Sequence, residues 1–117
     1  MMNKFRTNIL AISFAFLVLL AMPLHANAQS ENRVVKIVNE SSAPIYHLYV
    51  SNVGEDNWGL DQLGIYQTID SDRYRVFNMD DGTGYCMFDL KAVLSDGREA
   101  IRRNFNVCRE SSWTITN

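Results

Sequence analysis

Histidine and cysteine are scarce in this chain, with two of each among 117 residues. His25 lies in the N-terminal apolar segment, so His47 is the lone imidazole of the globular part. A Ser/His/Asp triad or a Cys/His dyad would have to use it, and no G-x-S-x-G elbow accompanies it. Cys86 and Cys108 form no C-x-x-C redox pair, and one histidine does not make a zinc site. Basic residues are also short. Removing residues 1–28 takes Lys4 and Arg6 from the 11 Lys+Arg and leaves 9 against 13 Asp+Glu, a net charge near −4. That balance excludes binding nucleic acid through its phosphates and argues against docking on anionic lipid. Long helical periods are missing, and so are internal repeats and low-complexity tracts.

What is present begins with an address. Lys4 and Arg6 precede an apolar run from Ile9 to Met22, Pro23 breaks it, and Ala26-Asn27-Ala28 supplies a small-residue cleavage site. The run falls short of the roughly 20 apolar residues a membrane span requires. No cysteine near the cleavage point indicates a lipid anchor, so no stable membrane anchor is expected after cleavage. The expectation is a signal peptide over 1–28 and one domain over 29–117, periplasmic or secreted. A domain of this size buries only about 60–65% of its unfolded surface. Two cysteines in such a domain read as one disulfide, Cys86–Cys108, worth roughly 3 kcal/mol for a loop of about 22 residues.

From Arg33 onward short β-type runs alternate with turn residues. Strands are expected at Val34–Val38, Ile45–Val50, Ile65–Ile69, Arg73–Met79, Tyr85–Leu94, Arg98–Cys108 and Ser112–Thr116. Ile45–Val50 is apolar on both faces, as in a central strand. Trp58–Gly64 lacks alternation and suits one helical turn closed by Gly64. Asp96-Gly97 between two runs is a hairpin signal. A two-residue loop there sets Phe88 opposite Phe105 and Ala92 opposite Ile101. Joining the cysteines in that register needs one extra residue in the second strand, a bulge near Asn106; otherwise the loop is three residues long and the apolar match is poorer. Six or seven strands at this spacing read as an all-β antiparallel sandwich, with a small closed barrel as the alternative.

His47, between Tyr46 and Leu48, reads as a hydrogen-bonded strand histidine. Trp58 and Trp113 read as core or as a plug at one end of the sandwich, or as anchors for a partner. The candidate binding residues are Tyr46, Tyr49, Trp58, Asp61 and Tyr66, with Asp61 also suited to capping a turn through backbone N–H groups. Asp56, Asp61, Asp80 and Asp81 are the alternative set for Ca²⁺, although no stretch matches the D-x-[DN]-x-[DN]-G loop. Gly82-Thr83-Gly84 precedes a strand instead of opening a helix, which makes it a turn and not a phosphate cradle. Asn39-Glu40-Ser41 fits a glycosylation acceptor, discounted because the short leader looks bacterial.

Together, Asn39, Leu48-Tyr49-Val50-Ser51, Trp58-Gly59-Leu60-Asp61-Gln62-Leu63-Gly64, Cys86-Met87-Phe88-Asp89-Leu90, Asp96-Gly97 and Asn106-Val107-Cys108 form a pattern. It resembles a family of small exported bacterial β-sandwich proteins without an assigned function, across nearly the whole mature chain. The resemblance implies the sandwich and the Cys86–Cys108 bond, and no activity. Relatives sometimes carry an argininosuccinate lyase label, which does not fit. Such lyases are large, helical and oligomeric, with sites shared between subunits. After Gly64 this chain departs from the Pro-Gly-rich stretch of many relatives and has Ile65-Tyr66-Gln67-Thr68-Ile69 instead. The expected function is a non-catalytic exported module without a cofactor, binding a protein, glycan or small ligand through loops at one end. The alternatives are a Ca²⁺-dependent module and a small inhibitor of an envelope or host hydrolase.

Overall fold

In a computed structural model of the chain, residues Glu31–Asn117 are described; the expected signal peptide lies outside them. Six strands form two sheets: β1 (Val34–Asn39), β2 (Ile45–Asn52), β3 (Arg73–Asn78), β4 (Met87–Leu94), β5 (Glu99–Asn106) and β6 (Ser112–Ile115). One sheet has the order β3-β1-β6, the other β2-β4-β5. The all-β sandwich is therefore formed, with two open sheets instead of a closed barrel. Pairing is antiparallel except between β1 and β6, which run parallel. Among the described residues no helix is long and apolar enough to cross a membrane.

The core follows from period-two alternation. Phe88, Leu90, Ala92 and Leu94 point one way from β4, and all four are buried. They meet Val35 and Ile37 of β1, Trp113 and Ile115 of β6, and Ile45 and Leu48 of β2 in one cluster. Cys86 and Cys108 are joined, with Cα atoms 5.3 Å apart. An intrachain disulfide of this kind persists in oxidising surroundings.

The β4–β5 hairpin combines the two devices that the sequence offered as alternatives, a three-residue loop and a bulge. Its loop is three residues, Ser95-Asp96-Gly97, closed by Leu94 N–H donating to Arg98 O at 2.9 Å and Gly97 N–H donating to Leu94 O at 3.0 Å. Gly97 has φ 89°, which a three-residue hairpin turn requires and glycine supplies without strain. In that register Ala92 faces Ala100, and Ile101, opposite Lys91, is exposed. A register shift then falls between Phe88 and Leu90, at Asn104 and not at Asn106. Asn104 is left-handed, φ 55°, and its N–H donates to Asp89 Oδ1 at 3.0 Å. Beyond the bulge Phe88 faces Phe105 as expected, and Cys108 comes within reach of Cys86.

Two other expectations are corrected. β2 is an edge strand; β4 takes the centre of that sheet. The apolar residues on its second face, Tyr46 and Tyr49, meet solvent and side chains instead of a second layer. The segment expected as a strand at Ile65–Ile69 contributes only an isolated bridge from Ile69 to Ile45. Ile65 and Tyr66 fall in a turn, where Gln67 N–H donates to Gly64 O at 2.9 Å.

Candidate functional site

The long β2–β3 connection, residues 53–72, is where the chain departs most from regular structure. Trp58–Gly64 is not helical. It lies along the free edge of β2, bridged between Asp61 and Tyr49. Asp61 makes this attachment. Its Oδ1 accepts from Leu48 N–H at 2.9 Å and from Leu63 N–H at 3.0 Å, and its Oδ2 lies 2.7 Å from His47 Nδ1. Gln62 N–H donates to Leu48 O at 2.7 Å. The carboxylate thus satisfies an edge donor of β2 and caps its own turn. Burial alone would raise the Asp61 pKa. The Leu48 N–H, the His47 side chain and the Leu63 N–H outweigh it and hold the carboxyl below its ordinary value. Asp61 is then an ionised acceptor, so His47 Nδ1 carries the proton between them.

The loop is pinned at its far end too. Ile45 and Ile69 exchange both backbone hydrogen bonds, at 2.9 and 3.1 Å, and the buried Asn39 Nδ2 donates to Ile69 O at 2.9 Å. Leu63 and Ile69 are buried at 2% and 1% exposure, whereas Leu60, Ile65 and Tyr66 stand at 83%, 93% and 94%. Between the two pins lies a groove of about 380 Å³, its walls including Tyr46, His47, Asp61, Ile65, Tyr66 and Gln67.

Trp58 is neither core nor plug. It lies half-buried on the outward face of the β2-β4-β5 sheet. Lys91 Nζ sits 4.9 Å and Arg103 Cζ 4.8 Å from its ring centre, and Lys91 is also 5.0 Å from the Tyr49 ring. Tyr49 in turn stacks on His47, with ring centres 6.2 Å apart. Arg103 donates to Asp89 at 3.0 Å. Cation–π contacts of this kind contribute about 0.5–1 kcal/mol each at exposed sites. Trp113, by contrast, is a core residue.

The structure therefore brings Tyr46, Asp61 and Tyr66 to one groove and places Tyr49 and Trp58 on the adjoining sheet face. It does not gather the Ca²⁺ set. Among the described residues no group of three or more His, Cys, Asp or Glu is placed to hold a metal ion. Asp80 accepts from Gly82 N–H, and Asp81 accepts from Asn52 Nδ2 and Thr83 N–H. The Gly82 and Thr83 bonds close the turn, and the Asn52 bond ties it to the end of β2. Burial would raise the Asp81 pKa, yet the Asn52 and Thr83 donors lower it on balance. The glycosylation pattern at Asn39 is closed off in the folded chain. Its amide is fully buried and donates to Ala43 O and Ile69 O.

Sequence reasoning missed Leu60 and Ile65 as exposed residues and Lys91 and Arg103 as partners of Trp58. The adjacent apolar pair Ile65-Tyr66 after Gly64 breaks period two, and that was the available signal. Nothing in the sequence pairs Trp58 with two cations from other strands.

No family model matches the chain, and no curated protein matches it. A solved structure similar to it is an NMR structure of a protein from Eubacterium rectale. It is 17% identical, the match covering 77% of this chain and 84% of that one, with a TM-score of 0.53. At that identity the likeness shows a shared fold and nothing of activity.

Proposed function

We propose that the chain is an exported, non-catalytic binding module, periplasmic or secreted, that engages its ligand through the β2–β3 loop. One observation carries the reading: a loop fastened at both ends holds Leu60, Ile65 and Tyr66 almost fully in solvent. A loop without a binding role would gain by turning such side chains inward or replacing them. Fixing the backbone beforehand lowers the ordering cost of association. The leader-like first 28 residues and the disulfide support export.

The test begins with the full chain expressed with its leader. N-terminal sequencing of the recovered protein is expected to start at Gln29; a chain still beginning at Met1 removes the export reading. Binding to host envelope and culture-medium components, measured by biolayer interferometry, is expected to fall in Ile65→Ser/Tyr66→Ser protein of unchanged melting temperature. Equal binding by that variant, or robust turnover on a panel of small substrates, would overturn the module reading.

A further inference from the structure

Resting on that reading, we infer that the β2–β3 loop docks onto a basic protein surface, its three apolar tips entering an apolar socket rimmed by lysine or arginine. The inference comes from charge. Between Lys36 and Arg73 there is no Lys or Arg, whereas Glu40, Glu55, Asp56, Asp61, Asp70 and Asp72 all fall there. Glu55, Asp56, Asp70 and Asp72 are exposed and belong to the same connection that carries Leu60, Ile65 and Tyr66. The cations beside the connection are Arg73, exposed and directly following Asp72, and Lys91 and Arg103, which lie over the Trp58 ring with Arg103 paired to Asp89, so the loop keeps an acidic excess. The loop is thus an apolar centre with an acidic margin, the arrangement of an interface core within its polar rim.

Several alternatives fit less well. An anionic ligand, whether a phosphate, an acidic glycan or lipid headgroups, meets an acidic margin with no lysine or arginine in the groove, whose one imidazole, His47, is held by Asp61. A second copy of this chain would bring two acidic margins together, and like-charge juxtaposition opposes that contact. A small neutral ligand filling the groove would leave Leu60 outside it, since Leu60 is not among its walls. A protein wide enough to span Leu60 to Tyr66 covers all three tips. The loop is already fastened by Asp61 and Ile69, so it presents them without a folding step.

The experiment passes the host's exported proteins over the immobilised mature chain. Retained species are identified by mass spectrometry, and each is then purified for affinity measurement at 50 and 300 mM salt. The comparison proteins are Leu60→Ser/Ile65→Ser/Tyr66→Ser and Glu55→Gln/Asp56→Asn/Asp72→Asn, each checked for an unchanged melting temperature. A retained protein with a basic isoelectric point is expected. Its binding should weaken at least about thirtyfold in the apolar variant. It should weaken about tenfold in the acid-neutralised variant, with a flattened salt dependence. Loss in the apolar variant toward a neutral or acidic partner, or toward a glycan, would overturn the basic-partner inference and leave the module reading standing. A self-association dispersed by the same substitutions would overturn it likewise. Equal binding by both variants, or no retained protein, overturns it as well.

Discussion

Asn39 ties the first strand to the loop that ends at Ile69: its buried Nδ2 donates to the Ile69 carbonyl at 2.9 Å. The same amide donates to Ala43 O, while its Oδ1 accepts from Ser41 N–H and Ser41 Oγ. One side chain therefore satisfies four groups in a region closed to water. Asn39→Ala is expected to cost about 3 kcal/mol, because its removal orphans buried donors and acceptors. In a domain this small that lowers the melting temperature by more than about 10 °C. Asn39→Asp should fare no better, since a carboxylate would face the Ala43 and Ile69 carbonyls. Thermal denaturation followed by circular dichroism checks both.

Asp61→Ala removes the acceptor for two backbone donors, Leu48 N–H and Leu63 N–H. A loss of about 1–3 kcal/mol is expected, the usual cost of leaving such donors unsatisfied. Amide exchange should accelerate at Leu48 and Leu63 first, ahead of β4. Uniform protection in the variant would mean that the loop does not depend on this carboxylate.

Acid should loosen the same attachment. The folded-state pKa values of Asp61 and Asp81 lie below the ordinary 3.8. Their contribution to stability is therefore present above that value and is lost as pH falls through 3.8 toward the depressed folded values. Wild-type melting temperature is expected to fall over that window, and the Asp61→Asn/Asp81→Asn protein to show a shallower fall from a lower start. Parallel acid profiles would show that other carboxylates govern the response.

Cys86→Ser/Cys108→Ser opens a loop whose ends are separated by 22 residues. The chain-entropy argument gives a loss of roughly 3 kcal/mol. Equilibrium urea denaturation of the variant and of reduced wild type should agree with each other. Disagreement would point to strain or to altered packing around the serines.

The strands that bury one face were legible. β4 reads as perfect alternation through Phe88, Leu90, Ala92 and Leu94, and its burial follows that alternation residue by residue. Phe88 opposite Phe105 was also readable, from the apolar face that the hairpin must bury. The bulge at Asn104, which offsets the third residue of the loop, was not readable. Its place depends on Asp89 offering a carboxylate to Asn104 N–H across the hairpin, a tertiary partner with no local signature. The edge position of β2 was hidden because an apolar residue facing a loop looks, in sequence, like one facing a second layer. Ile65-Tyr66 failed for the same reason, since β-propensity measures a fit to half-buried surface that the loop never provides. Tyr46, Asp61 and Tyr66 were identifiable as candidates, but their shared groove comes from the Asp61 attachment to an edge strand, which no spacing rule encodes.

The parallel contact of β1 with β6 has a consequence for how the chain is made. The strand formed from the earliest described residues is the middle one of its sheet, and one of its two neighbours is supplied by Ser112–Ile115, the last described strand in chain order. Half of the sandwich therefore waits until Ser112–Ile115 has left the ribosome. Until then Val35 and Ile37 have no complete layer to close over them.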